Sequence, residues 1–255
     1  MELPEFCARL DEELRTADYA DVDASANGLQ VGPDEGTVDV AAFAVDAAIE
    51  TVERAVAADA DVLVAHHGVV WGGLDRVTGR PFDRVAPLVR NDCALYVSHL
   101  PLDGHQRLGN AAGVGDVLGL DDRAPFGDHG GETIGQRGRL PEPAAVDDLA
   151  ATLREALDTG DGTVQVLPFG SGPVEDVAIV TGSGADWLDE AVAAGADCLV
   201  TGEGKQQVYH EAREAGLDVV LAGHYATETF GVRSLQELAG EWGLETTYVD
   251  CPTGL

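Results

Sequence analysis

Hydrophobic and polar positions follow one repeating order in two separate blocks of the chain. The block at 38–68 begins with a short apolar run, continues with a helix-like pattern that contains AVAA, and ends in the apolar run DVLVA. The block at 175–204 repeats this order, including AVAA, and ends in DCLVT. Each block predicts a strand, an amphipathic helix and a buried strand, which form a βαβ unit with parallel strands. The chain therefore predicts an α/β fold with two similar units from an internal duplication.

The similarity resumes beyond each block. The segment CALYVSHLPLD at 93–103 aligns with VVLAGHYATE at 219–228, which pairs His99 with His224 and Asp103 with Glu228. Each copy thus has a histidine four residues before an acid, directly after an apolar strand. The two AVAA blocks are 136 residues apart and the two histidines 125 apart, so the first copy contains 11 additional residues, which fits the loop GLDRVTGRPFDR.

A different segment separates the two copies. It predicts a strand at IGQRGRL, an amphipathic helix at PAAVDDLAATLREAL and a strand at TVQVLPFG. We place the boundary near residue 125, so that residues 1–125, joined by 230–255, form the first unit and residues 126–229 form the second. Helices near 4–16 and 229–242 and a strand at ETTYVD are expected at the chain ends.

The charge balance is extreme, with 15 basic and 46 acidic residues and a formal net charge of −31. Because molar salt shortens the Debye length to about 3 Å, this composition favours a protein adapted to a salt-rich, halophilic cytoplasm. It also argues against nucleic-acid binding, which needs clustered Lys and Arg. The apolar runs are shorter than the roughly 20 residues that cross a bilayer, and the acidic start lacks a secretory pattern. We expect a cytoplasmic protein that does not bind membranes.

The four cysteines are scattered at positions 7, 93, 198 and 251, without a CxxC pair. We expect them to be reduced. Cys93 and Cys198 adjoin strand-like apolar runs, so packing is their expected role.

Polar residues at the ends of the predicted strands are the candidates for chemistry, because open α/β sheets bind ligands at the carboxyl ends of their strands. These strand ends carry His66, His67, His99 with Asp103, Glu203, and His224 with Glu228. Adjacent histidines on an extended strand diverge, which suits one metal ion each. A helix that begins near ATE would place His224 and Glu228 on one face, where the carboxylate can bridge two ions. Imidazole and carboxylate ligands suit zinc, iron, manganese or nickel.

Other polar residues have weaker support. His99 is interpreted as a positioning or catalytic residue, and Glu203 as a second candidate for proton transfer. His105, His129 and His210 lack an equivalent in the repeat and are expected on the surface or in loops. Lys205 is interpreted equally well as a substrate contact or as part of a charged turn. The Gly-Ser-Gly sequence at 182–184 is more typical of a turn than of a phosphate site.

The chain resembles a known family through VAHHG, SHLPLD, TGEGKQQVYHEARE and AGHYATE, in this order, with SANGLQVG near the start. These segments are similar to those of the NIF-three-like dinuclear metal centre proteins, also called GTP cyclohydrolase I type 2 homologues. The resemblance implies two divalent metal ions and two similar α/β domains in a toroidal homohexamer. The ligands that it implies are His66, His67, Asp103, His224 and Glu228. The chain departs from the family at Gly68, where proline is common, and at residues 100–101.

We therefore expect two divalent ions in a cleft between the two units. The leading hypothesis is a metal-dependent hydrolase that acts on a nucleotide-like or related small molecule. The alternative is a non-catalytic protein that stores or delivers metal, or serves as a scaffold. An open coordination position in a pocket that has hydrogen-bonding groups would favour the enzyme.

Overall fold

The computed structural model describes residues 1–255, which form eleven strands and ten α-helices. The strands are β1 (Gly28–Val31), β2 (Val40–Asp46), β3 (Val62–His67), β4 (Ala94–Val97), β5 (Asp121–His129), β6 (Glu132–Ala144), β7 (Gln165–Leu167), β8 (Val174–Val180), β9 (Cys198–Thr201), β10 (Asp218–Leu221) and β11 (Glu245–Tyr248). The α-helices are α1 (Leu3–Leu14), α2 (Ile49–Ala57), α3 (Arg80–Arg90), α4 (Leu100–Gly104), α5 (Asn110–Val117), α6 (Val146–Ala156), α7 (Leu188–Ala193), α8 (Gln206–Ala215), α9 (His224–Thr227) and α10 (Thr229–Glu241). None of the helices has the length and apolar character needed to span a bilayer.

The chain divides into two units. The first comprises residues 1–102 and 231–251, and the second comprises 103–230 and 252–255. The division precedes the boundary near 125 that the sequence indicated. The reason is that α5 packs its small apolar residues Ala111 and Val114 into the core of the second unit, together with Leu149 and Ile179.

The first unit is built on a five-stranded sheet with the order β1-β4-β3-β2-β11. Strands β11, β2, β3 and β4 are parallel, and β1 pairs antiparallel with β4 at the edge. The three inner parallel strands, β2, β3 and β4, are almost continuously apolar, as expected for strands that are covered on both faces. Leu63 and Leu95 are fully buried in the core cluster of this unit, and Cys93 is 2% exposed.

The second unit contains a six-stranded sheet with the order β5-β6-β8-β9-β10-β7. Its central strands β8, β9 and β10 are parallel, and β7 pairs antiparallel with β10. This order matches that of β2, β3, β4 and β1 in the first unit, which supports the internal duplication. The inserted hairpin of β5 and β6 pairs antiparallel with β8.

An equivalent aspartate supports the parallel strands of both units. Asp61 Oδ2 accepts hydrogen bonds from the backbone N–H groups at residues 39 and 40, at 2.8 and 2.9 Å. Asp197 Oδ2 accepts the same two bonds from residues 175 and 176, each at 2.9 Å. All three positions are separated by the repeat offset of 136 residues. The duplication therefore extends to individual side-chain hydrogen bonds.

Cys198, like Cys93, is fully buried, and all four cysteines are free. Burial raises the pKa of the Cys93 thiol to about 11 and raises that of Cys198 as well. Thiolate chemistry is therefore suppressed at both positions, which agrees with the packing role expected from the sequence.

Candidate metal centre

Three histidines of the first unit form a cluster at the ends of neighbouring parallel strands. His66 and His67 end β3, and His99 follows β4. One ring nitrogen from each lies within 4.8 Å of the others. The ring centroid of His66 lies 4.6 Å from the ring centroid of His67 and 5.1 Å from that of His99. The two adjacent histidines thus remain neighbours despite the alternation of an extended strand, and their separation suits either a shared ion or one ion each.

Each of these imidazoles is anchored through Nδ1 by an oxygen atom. His66 Nδ1 donates to the carbonyl oxygen of Ser98 at 2.9 Å. His67 Nδ1 contacts Asp46 Oδ1 at 2.9 Å, and Asp46 lies beside His67 at the end of β2. An oxygen that holds Nδ1–H leaves the Nε2 lone pair for a metal, which is the usual arrangement of ligating histidines. The donor set therefore fits a divalent ion.

Asp23 is the corresponding anchor of His99. Its Oδ1 contacts His99 Nδ1 at 2.9 Å, and its Oδ2 accepts hydrogen bonds from the backbone N–H of Leu100 at 3.0 Å and from Asn27 Nδ2 at 2.8 Å. Asn27 Oδ1 in turn accepts from the backbone N–H of His99 at 2.8 Å. Burial alone would raise the pKa of Asp23, but its hydrogen bond and charge interaction with His99, assisted by Asn27 and the Ser25 N–H, lower that pKa to about 2. Asp23 is therefore ionised and fixes the orientation of His99.

The structure explains why glycine follows the two histidines. Gln30 Oε1 accepts hydrogen bonds from the backbone N–H groups of Val69 and Val70, at 2.9 and 3.1 Å. A Cβ atom at Gly68 would lie 2.3 Å from that oxygen. Any larger residue at this position would displace the Gln30 side chain from the turn that it stabilises. Gln30 therefore limits the space that is available to a side chain at position 68.

The second unit holds Asp103 in a buried hydrogen-bond network. Asp103 is 7% exposed, and its Oδ1 accepts hydrogen bonds from Asn110 Nδ2 at 2.7 Å and Thr181 Oγ1 at 3.2 Å. Both donors bind the same oxygen. Such bonds fix the direction of a carboxylate, as expected for the outer contacts of a metal ligand.

Two carboxylates flank the His224 ring of the second unit. His224 Nε2 lies 3.2 Å from Glu228 Oε1, and Nδ1 lies 3.1 Å from Glu203 Oε1. Helix α9 begins at His224, so the i, i+4 spacing brings the buried Glu228 back to the imidazole. Burial alone would lower the pKa of His224, but the hydrogen bond and charge of Glu228, followed by those of Glu203, raise it to about 9. A hydrogen bond from Ser183 Oγ is the main cause that lowers the pKa of Glu203.

Two glycines leave room for these side chains. A Cβ at Gly182 would lie 2.2 Å from Glu228 Oε1 and 3.2 Å from His224 Nε2. A Cβ at Gly202 would lie 2.7 Å from His224 Cα. The glycines at these strand ends therefore form a recess that any side chain would fill. This close approach accounts for Gly182 in the Gly-Ser-Gly sequence, for which the sequence suggested only a turn.

The remaining candidates lie apart from these two groups. His105 Nδ1 accepts the backbone N–H of Leu108 at 2.9 Å, which is a local loop contact. His129 packs against Trp187, and the exposed His210 packs against Tyr209. Lys205 precedes α8 and lines a cavity of about 170 Å³ together with Ser183, Glu203 and other residues of the second unit.

Several anchoring residues were missed from the sequence. Asp23, Asp46, Asn110, Thr181 and Ser183 lie outside the repeated histidine and acid pattern, because each supports a ligand candidate from a different strand end or loop. The Asp-x-x-x-Asn pair at 23 and 27 was the one available signal, since two amide or carboxylate side chains four apart are typical of local hydrogen bonding.

The fold and the candidate site together define a class of protein. It is an α/β protein with an internal duplication, and its strand ends carry anchored imidazoles and buried carboxylates that are potential metal ligands. The DUF34/NIF3 (NGG1p interacting factor 3) family model matches residues 1–253. The chain belongs to this family.

Relatives of known sequence and structure agree with this assignment. A protein of Halobacterium salinarum named "GTP cyclohydrolase 1 type 2 homolog" is 60% identical over 255 residues, covering 100% of both chains. The solved structure titled "Structural genomics, protein ybgI, unknown function" has a TM-score of 0.90 and 32% identity and covers 100% of both chains. The crystal structure of TTHA1606 from Thermus thermophilus has a TM-score of 0.88 and 38% identity, also with 100% coverage of both chains. These likenesses confirm the family and the α/β architecture predicted from the sequence.

Proposed function

We propose that this protein binds two divalent metal ions and uses them to hydrolyse a nucleotide-like or related small molecule. The observation that carries the proposal is the anchored pair His66 and His67, whose ring nitrogens lie within 4.8 Å of each other and of a nitrogen of His99. Such anchoring orients nitrogen ligands before an ion arrives. The name of the Halobacterium salinarum relative supports a nucleotide-like substrate.

The proposed ligands are His66, His67, Asp103, His224 and Glu228, with Glu228 as the bridging carboxylate. The histidine and acid pattern occurs once in each copy of the duplicated sequence, so the proposed ligand set draws on both copies. Nitrogen and oxygen donors without cysteine suit iron, zinc, manganese or nickel. Two such ions would lower the pKa of a water molecule towards neutrality and stabilise the negative charge that develops during hydrolysis.

The chain itself supplies two groups for proton transfer. His99 is held by the ionised Asp23, which fixes one ring nitrogen and leaves the other available to exchange a proton. Glu203 is 47% exposed and is held by Ser183, so it can pass a proton to solvent. We expect His99 to exchange a proton with the substrate and Glu203 to exchange a proton with the surrounding water.

A substrate screen with restored metal tests this function. The protein is purified in molar salt, stripped with a chelator, and reloaded separately with iron, zinc, manganese or nickel before a panel of nucleotides is tested for hydrolysis. We expect turnover with at least one metal and none without metal. His99→Gln should retain its ions and lose about 100-fold or more in turnover, whereas His210→Gln should match the unmodified protein. Full metal loading without turnover of any compound would favour storage or delivery of metal.

We also propose a homohexamer in the cytoplasm. The exposed apolar side chains Phe82 and Val89 on α3, 45% and 61% exposed, support self-association. Sedimentation in molar salt would measure the mass, and a monomer at micromolar concentration would contradict the assembly.

A further inference from the structure

Trp71 lies beside the histidine cluster with much of its indole in solvent. The residue is 44% exposed. Its ring centroid lies 5.0 Å from that of His99 and 6.1 Å from that of His67. Tryptophan can bury more than 150 Å² of surface, so leaving it open sacrifices a substantial apolar contribution to folding. A tryptophan that is exposed at a group of potential ligands therefore points to a binding role.

The exposed ring is held in place by its own chain. Trp71 Nε1 donates to the carbonyl oxygen of Gly68 at 3.3 Å. The backbone of Trp71 forms an antiparallel bridge with Ser25, and the next residue, Gly72, donates its N–H to the carbonyl oxygen of Ala24 at 2.7 Å. The indole is thus fixed both at its nitrogen and at its backbone, and it is oriented before any ligand binds. Such preorganisation lowers the entropy lost on binding.

The chain next to Trp71 leaves open space. A Cβ atom at Gly72 or Gly73 would meet no atom within 4 Å. Leu74 and Val77, which follow, are each 42% exposed. A flat apolar ligand could therefore contact the indole without displacing a side chain of this loop.

We propose that Trp71 is an aromatic platform on which a planar heteroaromatic ring of the substrate stacks. This inference rests on the proposed function and deepens it by naming the residue that binds the ring of the substrate. The Trp71 and His99 rings are in direct T-shaped contact, with centroids 5.0 Å apart and planes at 80°, so a ring that stacks on the exposed indole would lie next to the histidines.

Binding measurements on the metal-loaded protein test the platform. Equilibrium dialysis in molar salt would give dissociation constants for guanosine 5′-monophosphate and adenosine 5′-monophosphate, with ribose 5-phosphate as the probe that lacks a ring. The variants are Trp71→Ala, Trp71→Phe and Trp187→Ala. Trp187 is a matched control because its Nε1 also donates to a backbone oxygen and its ring also contacts a histidine. Metal content and sedimentation are recorded for every variant.

We expect Trp71→Ala to weaken binding of at least one nucleotide about tenfold or more, since the variant has no aromatic face on which the base can stack. Trp71→Phe should stay within about threefold of the original affinity, and Trp187→Ala should have no effect. Binding of ribose 5-phosphate, metal content and oligomeric state should be the same in all variants.

Three outcomes would contradict the role of Trp71 as a platform. The first is that Trp71→Ala binds the nucleotides as tightly as the unmodified protein does. The others are that Trp71→Ala weakens binding of ribose 5-phosphate as much as binding of the nucleotides, or that neither nucleotide shows saturable binding. A loss of metal in Trp71→Ala would show that Trp71 only supports the histidines, and a change of mass would show that it contacts another copy. The proposed function fails separately, if the unmodified protein binds no metal.

Discussion

His224 Nε2 lies 3.2 Å from Glu228 Oε1, and the other nitrogen of the same ring lies 3.1 Å from Glu203 Oε1. The imidazole is thus placed between two negative charges. Because positive charge on the ring is favoured there, the pKa of His224 rises to about 9 despite its burial. A metal ion that binds this imidazole must displace the proton.

Metal affinity should therefore depend on pH up to about pH 9, which is above the pH range in which an ordinary histidine loses its proton. The raised pKa stabilises the metal-free fold fully below about pH 6.5, and this contribution is lost as the pH rises through 9. Affinity should accordingly increase by up to about tenfold per pH unit between pH 7 and 9, and then level off. Competition titrations with zinc would measure this slope. A flat affinity above pH 7 would show that no protonated imidazole competes with the metal.

Asp23 should contribute to stability as well as to the position of His99. Asp23→Asn keeps the side-chain shape but removes the charge that His99 Nδ1 contacts, and we expect it to cost about 1–3 kcal/mol of unfolding free energy. Because the pKa of Asp23 is lowered to about 2, its contribution is present above about pH 4 and is lost as the pH falls through 2. Chemical denaturation at pH 7 would measure the difference, with the exposed Asp21→Asn as the control. Equal stability of the two variants would remove Asp23 from this role.

Gly182→Ala should disturb the proposed metal centre for two reasons. The new Cβ would collide with a neighbouring side chain, and the backbone angle at this position is strained for alanine. Gly182 has φ +59°, where a Cβ is strained, and its Cβ would also lie 2.2 Å from Glu228 Oε1. Gly119 has φ +65° with no atom within 4 Å of a Cβ, so Gly119→Ala isolates the cost of the dihedral angle, about 1 kcal/mol. We expect Gly182→Ala to lose at least a further 1–2 kcal/mol, roughly, and to bind less metal. Matching thermal melts and metal contents would contradict the close contact.

Salt should be required for the fold. The formal charge of −31 repels itself when the Debye length grows from about 3 Å at 1 M salt to about 30 Å at 0.01 M. We expect circular dichroism and melting temperature to fall as salt is removed, with recovery in potassium chloride. An unchanged spectrum and melting temperature at millimolar salt would reject adaptation to high salt.

The sequence predicted the elements that repeat, because duplication doubles each pattern. The helices near the chain ends appear as α1 and α10, and the final strand as β11. The hairpin between the two long strands of the second unit is tight, since β5 continues to His129 and the chain reverses at Gly130 and Gly131. The short α5 was not predicted, because its alanines and glycines have little amphipathic pattern.

In the candidate site, too, the residues that follow the repeat were predictable and those outside it were not. The strand ends identified the histidines and acids, since the repeat placed each one directly after an apolar run. Their anchors could not be found in this way. Asp23 is 76 residues from His99, and Asp46 is 21 residues from His67, so only the folded sheet brings each pair within 2.9 Å. Side-chain hydrogen bonds between distant segments leave no periodic signal in a single sequence.

The number of ions bound per chain tests the central proposal most directly. Protein purified and reloaded in molar salt would be analysed by elemental mass spectrometry, together with His67→Ala, Glu228→Ala and the control His210→Ala. We predict two ions per chain in the unmodified protein and in His210→Ala, a reduced content in His67→Ala, and losses from both sites in Glu228→Ala, whose carboxylate is proposed to bridge the ions. Two ions retained by Glu228→Ala would contradict the bridge, and an unmodified protein without stoichiometric metal would contradict the dinuclear centre itself.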